Sequence, residues 1–591
     1  QTGRQAGKGR LTGYPSVDRP WLKYYTEKDL AIEVPRCTVY RNIWESNKDH
    51  LEDVAILYYG NRIRYGTLFS NVEACAKSLR QVGIGRGDCV TLCSAGVPEA
   101  VYLVLACSRI GAIANFVNPL FPKGQMLDRI NETEAEWIFV LDAMYPYVED
   151  ALPETRIRNA VIIPATNSTP MPLSKLLYLR GDARKIVGKG NGRQRFSGWK
   201  DFTKLGRGFQ GSPDLPYEPD SPAIMVYSSG STGASKGILL TNDGINATVA
   251  NYLNSGFTFE RGDSFLQMIP VWFSTGIVLS MLMPLIYGVT VIPEPKFSKE
   301  TFVADLVKHK PSMTLTATSL WLYAINAEEM RGADLSRMEY AITGGEKVLP
   351  KDEEKINAFL REHGCGHKLY KGYGMCELGG TISTTTGCQG YSDKPGGCGY
   401  PILNSVVSSF DIVTGDELPY GQRGELRVLS RARMKGYYKN PQATAEFFKA
   451  DEDGNAWGCT GDIGYVDEDG EVFVLGRATD CCRLDGGEVV FLFDVEDAVL
   501  RDAAVRQCKV VDVEGPEGVR LVAHVVFRDG VSDVGEALGR IHRMLVETLP
   551  PHMVPHCYKA RSAMPVHANG KRDVGALRED RENLVRADQL R

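Results

Sequence analysis

The sequence of 591 residues lacks the features that mark several common classes of protein. Its 14 cysteines include no CxxC pair, which argues against a disulfide framework and against a zinc ribbon. The net charge is only −5, so no basic excess indicates nucleic acid as a partner. No apolar run predicts a transmembrane segment, since Pro284 and Gly288 interrupt the longest one. We therefore expect a cytoplasmic protein in a reducing compartment.

The composition is that of a globular protein with several domains. Hydrophobic residues make up 43% of the chain and charged residues 24%, close to the globular averages. Short apolar runs alternate with helical patterns, which is typical of parallel sheets with helices on both faces. The predicted strands of these sheets are 138–141, 160–163, 223–227, 265–269, 289–292, 313–317 and 340–343. Further on, 424–429 and 470–475 predict antiparallel strands, and a smaller α+β unit follows.

The segment 174–207 is strongly basic, with ten Lys or Arg residues against two Asp residues. We interpret it as a solvated insertion loop. The alternative is a binding site for the phosphates of a nucleotide tail or for an acidic partner.

Residues 227–237, YSSGSTGASKG, form the most informative segment. An apolar run precedes it, and Ile245, Val249 and Leu253 then recur at helical spacing, so a loop is predicted between a strand and a helix. Glycines let the backbone approach an anion, hydroxyls donate hydrogen bonds and a lysine adds charge. The groups expected to bind a polyphosphate are Ser228, Ser229, Gly230, Ser231, Thr232, Gly233 and Lys236. The spacing is not that of a Walker loop, and a flexible Ser/Gly connection is the alternative.

This segment is similar to the signature YTSGSTGxPKG of the adenylate-forming (ANL) superfamily, which includes acyl-CoA synthetases, aryl-CoA ligases, nonribosomal adenylation domains and firefly luciferases. Further motifs follow in the family's order, from about residue 60 to the C-terminal end. The resemblance implies an α/β fold: a large N-terminal domain of doubly wound sheets plus a barrel-like β subdomain, and a small mobile α+β C-terminal domain. It implies ATP, Mg²⁺ and CoA as cofactors and substrates.

The resemblance also implies domain boundaries. Residues 1–40 would be an N-terminal extension, 41–476 the large adenylation domain with the ATP and acyl sites, 477–480 a hinge, and 481–591 a lid that carries the catalytic lysine. Thr479 stands at the family's hinge position, where Asp or Lys is usual. We expect the hinge to tolerate this change because a hinge needs a permissive backbone rather than a charge.

Residues 371–377, KGYGMCE, resemble the family motif GYGxTE. By this resemblance Tyr373 flanks the adenine, Gly374 and Met375 shape the acyl pocket, and Glu377 binds Mg²⁺, for which a carboxylate is the expected ligand. Thr232 is the second metal-binding and catalytic candidate. Cys376 replaces a threonine that contacts the nucleotide, and a thiol is a weaker donor. The alternative is a glycine-rich turn with an exposed glutamate.

Four more motifs resemble motifs of the family, and by this resemblance they complete the predicted site. TGGE at 343–346 assigns nucleotide and acyl contacts to Gly344, Gly345 and Glu346; a plain turn is the alternative. CTGDIG at 459–464 and GR at 476–477 assign the ribose to Asp462 and Arg477. HANGKR at 567–572 makes Lys571 the catalytic lysine of the first half-reaction, where its charge would offset the repulsion between two anions. A surface turn is the alternative for that last segment.

Residues 270–276, PVWFSTG, correspond to the family segment that lines the acyl pocket. Amino-acid-activating relatives have an aspartate here for the substrate's α-amine, whereas this chain has Trp272 and Phe273. With Gly345 and Gly374, these rings predict an apolar pocket for a carboxylic acid without an α-amine, fatty or alicyclic ahead of aromatic.

We therefore predict an AMP-forming acyl-CoA synthetase, an acid–thiol ligase. One alternative is a stand-alone adenylating enzyme that loads a separate acyl carrier protein. Another, from a different class, is a catalytically silent sensor that binds a nucleotide or an acyl adenylate. A homodimer is a possible oligomeric state.

Overall fold

The computed structural model describes residues 11–171, 181–190, 192–228, 235–385, 391–515, 518–565 and 573–590. In chain order its strands are β1 (Val54–Tyr58), β2 (Asn61–Arg64), β3 (Cys89–Cys93), β4 (Ile113–Phe116), β5 (Trp137–Leu141), β6 (Asn159–Ile163), β7 (Arg195–Gly198), β8 (Pro222–Tyr227), β9 (Gly237–Thr241), β10 (Ser264–Gln267), β11 (Thr290–Pro293), β12 (Met313–Thr316), β13 (Tyr340–Gly344), β14 (Tyr370–Tyr373), β15 (Ser383–Thr384), β16 (Tyr400–Pro401), β17 (Ser405–Phe410), β18 (Gly424–Ser430), β19 (Gly436–Tyr437), β20 (Phe448–Ala450), β21 (Ala456–Val466), β22 (Val472–Arg477), β23 (Cys481–Arg483), β24 (Val489–Phe491), β25 (Val505–Gly515), β26 (Gly518–Phe527), β27 (Cys557–Arg561) and β28 (Val585–Arg586).

The α-helices are Pro15–Asp18, Glu27–Leu30, Val39–Asn47, Tyr65–Gln81, Pro98–Ile110, Lys123–Glu132, Tyr145–Val148, Ala183–Val187, Trp199–Leu205, Asn242–Asn254, Met283–Ile286, Lys299–His309, Thr318–Ile325, Pro350–Glu362, Pro441–Phe447, Leu492–Val499, Val534–Thr548 and Val574–Glu579. Thr275–Leu282 is a π-helix, and short 3₁₀ turns include Pro20–Tyr24, Cys376–Leu378 and Ala478–Asp480. Among the residues described, none of these helices has the length and apolar character needed to cross a membrane.

Contacts divide the chain into two units, which are described separately. The described residues of Gln1–Gln422, Arg427–Thr460 and Tyr465–Phe473 form the larger unit, and those of Arg423–Leu426, Gly461–Gly464 and Val474–Arg591 form the smaller one. The domain boundaries inferred from the motifs stay predictions.

Two large sheets build the larger unit. The first has the order β16-β15-β14-β13-β12-β10-β11-β1-β2, and its strands from β14 to β1 run parallel. The second has the order β19-β9-β8-β4-β3-β5-β6-β7 and is parallel from β8 to β7. All seven strands predicted for parallel sheets are confirmed to within two residues. Their apolar side chains are buried because helices cover parallel sheets on both faces.

The smaller unit is an α+β structure, as predicted. Its main sheet has the order β25-β26-β27-β28, and β23 pairs with β24. Valine and leucine side chains of β25 and β26 pack against Leu492–Val499 and Val534–Thr548 in one buried cluster. The helices therefore cover an apolar face of the sheet.

Two interpretations of the sequence are wrong. The phosphate-loop segment does not lead from a strand directly into a helix, because β9 intervenes and pairs antiparallel with β8 before Asn242–Asn254 begins. The basic segment 174–207 is not simply a solvated loop, since its described part includes Ala183–Val187, β7 and Trp199–Leu205. The rings of Trp199 and Phe202 are buried there, and they hold this charged stretch on the second sheet.

The N-terminal residues from 11 onward pack on the larger unit. Trp21 is buried, and the ring of Tyr24 stacks on that of Tyr400 with centroids 4.9 Å apart. The hydroxyl of Tyr25 donates to the carbonyl of Pro401 at 2.6 Å. This part of the predicted extension is therefore integrated into the larger unit.

Candidate active site

The two ends of the predicted phosphate loop are joined by hydrogen bonds. The backbone N–H of Ser228 donates to the carbonyl of Lys236 at 3.0 Å, and the N–H of Lys236 donates to Oγ of Ser228 at 3.0 Å. These bonds continue the β8–β9 pairing to the base of the loop. Residues 229–234 lie outside the described residues, so the predictions for Ser229, Gly230, Ser231, Thr232 and Gly233 do too.

Lys236, Tyr437 and Glu377 converge beside this loop base. Nζ of Lys236 lies 5.0 Å from the centre of the Tyr437 ring, within the range of a cation–π contact. The hydroxyl of Tyr437 donates to Oε1 of Glu377 at 3.0 Å. Burial, followed by the negative charge of Glu377, raises the pKa of Tyr437 above its ordinary value. The phenol therefore stays protonated and can keep donating to the carboxylate.

Glu377 is buried, with 7% of its surface exposed, in the short turn Cys376–Leu378 that follows β14. The exposed glutamate of the alternative interpretation is thus excluded. The backbone N–H of Met434 donates to the Glu377 carbonyl at 2.8 Å, and β19 pairs with β9. The carboxylate is therefore positioned by a strand that lies far from it in sequence.

Cys376 connects the nucleotide motif with the predicted acyl segment. The hydroxyl of the buried Ser274 donates to Sγ of Cys376 at 3.0 Å. Burial raises the pKa of the Cys376 thiol to about 11, so the group is neutral at physiological pH and unsuited to nucleophilic attack. The thiol thus accepts a hydrogen bond at a position where threonine would offer a hydroxyl.

The glycines of the motif allow close backbone contacts. A Cβ on Gly374 would lie 2.0 Å from the carbonyl oxygen of Gly380, so a side chain cannot be accommodated. Gly380 in turn lies next to Ser274 and Leu279. The π-helix Thr275–Leu282 begins after Ser274, and such helices occur frequently at functional sites.

Trp272 and Phe273 precede that helix. Both rings are partly buried, with centroids 6.3 Å apart. The structure therefore brings the aromatic segment 270–276 next to Gly374–Gly380, as an acyl pocket beside the nucleotide motif requires. Met375 and Tyr373 are partly buried, and Tyr373 is the last residue of β14.

The segment TGGE begins in the last two residues of β13, at the carboxyl edge of the first sheet, where open α/β sheets bind ligands. Gly344 is paired with Gly372 of β14, so the two glycine-rich motifs are neighbours. Gly345 is exposed with φ +82°, a backbone conformation that favours glycine. The carboxylate of Glu346 is exposed and accepts a hydrogen bond from the backbone N–H of Ser319 at 3.1 Å.

Asp462 and Arg477 form an ion pair within the smaller unit. Nη1 of Arg477 lies 3.1 Å from Oδ1 of Asp462; the Asp462 side chain is buried, whereas that of Arg477 is 61% exposed. The two residues assigned to the ribose thus share one location. Lys571 lies outside the described residues, but its segment is bounded by a hydrogen bond from the N–H of Asp573 to the carbonyl of Pro565 at 2.9 Å.

Sequence reasoning missed Tyr437 and the role of Ser274. Ser274 lies within the motif PVWFSTG at 270–276. A hydroxyl just before an apolar helix could have indicated a polar contact there. Nothing local marks Tyr437, because its contact with Glu377 depends on the pairing of β19 with β9.

Two family profiles match the chain. The AMP-binding enzyme profile matches residues 43–438, and the profile of the AMP-binding enzyme C-terminal domain matches residues 494–571. The chain therefore belongs to the adenylate-forming superfamily of AMP-binding enzymes, as its motifs predicted.

Individual relatives support this membership. The long-chain-fatty-acid–CoA ligase of Bacillus subtilis (strain 168) is 25% identical over 561 residues, 94% of this chain and 96% of that protein. The 4-coumarate–CoA ligase 1 of Arabidopsis thaliana is 27% identical over 419 residues, 70% of each chain. The crystal structure of ATP-bound MatB from Rhodopseudomonas palustris has a TM-score of 0.74 at 21% identity and covers 92% of this chain and 99% of that one. This likeness confirms the predicted fold class.

The family and these relatives confirm the predicted enzyme class, an AMP-forming acid–CoA ligase. A small-molecule acid, ATP and CoA are the reactants of this class. The roles of individual site residues stay predictions.

Proposed function

We propose that this ligase activates a carboxylic acid without an α-amine, fatty or alicyclic, and transfers the acyl group to CoA. In the first half-reaction a carboxylate oxygen attacks the α-phosphorus of ATP, which forms acyl-AMP and releases pyrophosphate. In the second, the sulfur of CoA attacks the acyl carbon, the thiol proton passes to solvent, and AMP leaves with the electron pair of the broken C–O bond.

The observation that carries this proposal is the convergence of Lys236, Tyr437 and Glu377 at the base of the phosphate loop. An ammonium lies over the ring of one phenol, and a carboxylate accepts a hydrogen bond from the hydroxyl of that phenol, next to a loop rich in hydroxyls. Lys236 would attract the phosphates, because an ammonium is a compact charge that binds them well. Tyr437 would keep the Glu377 carboxylate in place.

The residues at this site fit Mg²⁺. Glu377 provides a carboxylate, the oxygen donor that Mg²⁺ prefers, and Thr232 would provide a hydroxyl. The cation would neutralise charge on the phosphates when it is bound. The hydroxyl of Tyr437 orients the Glu377 carboxylate, and the backbone N–H of Met434 holds the Glu377 carbonyl.

Two anions must approach each other for acyl-AMP to form. Lys571 would place an ammonium between the attacking carboxylate and the α-phosphate, and the backbone of the glycine-rich motifs would orient the nucleotide. Asp462 would accept hydrogen bonds from the ribose hydroxyls, with Arg477 beside it. The leaving group in the second step is AMP, so no nucleophilic side chain is needed.

The aromatic wall supports the choice of acid. Trp272 and Phe273 carry no charge that could pair with an α-ammonium, and the helix that follows is apolar and buried. A charged tail would have to be desolvated there without a partner. The relatives are named for a long-chain fatty acid and for 4-coumarate, so an aromatic acid belongs in the test.

The test is to measure pyrophosphate release with ATP and MgCl₂ across saturated acids of graded length, cyclohexane carboxylic acids, 4-coumarate and α-amino acids. We expect release with fatty or alicyclic acids and a thioester, detected by mass spectrometry, when CoA is added. A preference for α-amino acids would contradict the proposed pocket. A product seen only with an acyl carrier protein would show that the carrier, and not CoA, is the acceptor. If no acid gave pyrophosphate release, the catalytically silent sensor would be favoured.

Lys571→Met tests the assigned catalytic lysine. We expect acyl-AMP formation to fall by at least about 10²-fold, because the ammonium stabilises charge that develops in the transition state. Supplied with synthetic acyl-AMP and CoA, the same variant should still form the thioester. Arg572→Met is the neighbouring control. Equal losses in both half-reactions would indicate a folding defect rather than the proposed role.

A further inference from the structure

Lys371 begins the nucleotide motif, yet neither the motif nor the proposed mechanism uses its side chain. The side chain is only 4% exposed. Its Nζ lies 2.9 Å from Oε2 of Glu353 and 3.0 Å from Oδ1 of Asp393. Burial lowers the pKa of Lys371, but the charges of Asp393 and Glu353 outweigh it and raise the pKa above its ordinary value. The ammonium is therefore a charged tether inside the larger unit.

The three charged groups come from three segments that surround the candidate site. Glu353 lies in the first turn of Pro350–Glu362, the helix that follows Gly345 and Glu346. Lys371 lies on β14, two residues before Tyr373, and residues two apart on a strand share a face. Asp393 lies on the stretch that leads to β16. One ammonium thus joins the helix after the first glycine-rich motif, the strand that carries the second motif and the stretch that leads to β16.

The backbone of β14 has its own supports, which separate the role of the strand from that of the side chain. The N–H of Lys371 donates to Oγ1 of Thr385 at 2.8 Å, and its carbonyl accepts from the N–H of Thr385 at 2.9 Å. These bonds do not reach Pro350–Glu362. The ion pair of Lys371 with Glu353 connects β14 to the start of that helix through charge.

We propose that Lys371 is a positioning residue that holds the two glycine-rich motifs, 343–346 and 371–377, in the arrangement that binds ATP. This inference rests on the proposed nucleotide site. Loss of the ammonium would leave one buried and one partly buried carboxylate without their shared cation and would let the helix start and β14 separate. The effect on ATP would be indirect, because the Lys371 side chain is engaged by the two carboxylates.

The experiment measures the Kd of ATP with MgCl₂ by calorimetry, which needs no knowledge of the acid. Lys371→Met removes the tether. The triple variant Glu353→Gln, Lys371→Met and Asp393→Asn removes the tether and the unpaired charges together, so its thermal stability should exceed that of the single variant. We expect both to bind ATP at least about fivefold more weakly than the wild type.

Lys509→Met is the matched control. Lys509 is also a buried lysine between two carboxylates, Asp480 and Glu496, but it lies in the smaller unit. The Lys509→Met variant should lose stability as Lys371→Met does, but its Kd for ATP should stay within about twofold of the wild-type value. A general structural defect would weaken ATP binding equally in both.

Three outcomes overturn the inference. They are a Kd less than about fivefold weaker in the triple variant, an equal loss of affinity in Lys509→Met, or no ATP binding by the wild type. The last also contradicts the proposed nucleotide site, whereas the first two leave it standing. If neither Lys371 variant folds, Asp393→Asn is the deciding variant, because it keeps the Lys371–Glu353 pair. An ATP affinity at least about twofold weaker than that of the wild type supports the inference, and a smaller loss of affinity overturns it.

Discussion

Two buried lysines, one in each unit, each lie between two carboxylates. Lys371 lies 2.9 and 3.0 Å from the carboxylates of Glu353 and Asp393. Lys509 lies 2.8 and 3.1 Å from those of Asp480 and Glu496. Their side chains are 4% and 7% exposed. In the N···O distances and in the burial of the lysine the two clusters are closely similar.

They differ in what they connect and in what surrounds them. The Lys371 cluster joins segments around the candidate nucleotide site, whereas the Lys509 cluster joins β25 to Leu492–Val499 and to the end of the predicted hinge. A further acid, Glu471, lies near Asp393, and burial is the main reason that its pKa is raised to about 7. The function of a buried ion cluster therefore depends on the elements it joins and on its neighbours, and less on its own distances.

The largest expected effect is on stability, and it should be the same in both clusters. Lys371→Met and Lys509→Met should each lower the free energy of unfolding by about 3 kcal/mol, the lower end for a broken buried pair, because each leaves two largely buried carboxylates without a cation. Urea unfolding of each variant and of the wild type, followed by circular dichroism, measures this change in the free energy of unfolding. Changes that differ by more than about 2 kcal/mol would show that the clusters are not equivalent.

A pH dependence should distinguish the clusters. The pKa of Glu471 is about 7 in the folded protein against an ordinary 4.5, so its stabilising effect is complete below about pH 4.5 and is lost as the pH rises through about 7. Glu471→Gln cannot ionise. Relative to the wild type, it should gain up to about 3 kcal/mol of stability between pH 4.5 and about 8.

Thermal unfolding of both proteins across this range gives the measurement. The hydroxyl of Tyr391, which donates to Glu471 at 2.8 Å, can still bond to the amide of the variant. A stability difference that does not change with pH would contradict the assignment of this titration to Glu471.

The smallest effect concerns the more exposed carboxylate of each cluster. Asp393 and Asp480 have similar side-chain exposure, 21% and 22%. Because each lysine keeps a glutamate partner, Asp393→Asn and Asp480→Asn should each lower stability by about 1.5 kcal/mol, the lower end for bonds to charged groups. Equal shifts in melting temperature would show that the two aspartates contribute equally to their clusters. A shift confined to Asp393→Asn would show that Glu471 contributes to the larger unit's cluster.

Much of the fold could be predicted because its signals are local. The parallel strands are continuous apolar runs, and such runs are buried on both faces wherever helices cover them. β9 was missed since it follows directly on a glycine-rich loop and is only five residues long. The basic segment 174–207 was misjudged because charge dominates its composition, while two buried aromatic rings, Trp199 and Phe202, decide how it packs.

The site could be predicted to the level of motifs. Glu377, Cys376 and Gly374 were named through their resemblance to a family motif, but the partners that hold them were not predicted. Tyr437 reaches Glu377 through strand pairing, and Ser274 reaches Cys376 through the approach of a π-helix. Such contacts join residues far apart in the chain, and no local pattern encodes them.

The sequence by itself determined the superfamily, the order of the motifs and the alternation of strands and helices. These depend on residue types at short spacing, where backbone preference and periodic burial act directly. Only the tertiary structure decided which charges share a buried space, as Lys371 does with Glu353 and Asp393. Electrostatic interactions depend on distance and on exclusion of water, and both are set by the packing of segments that the chain order keeps apart.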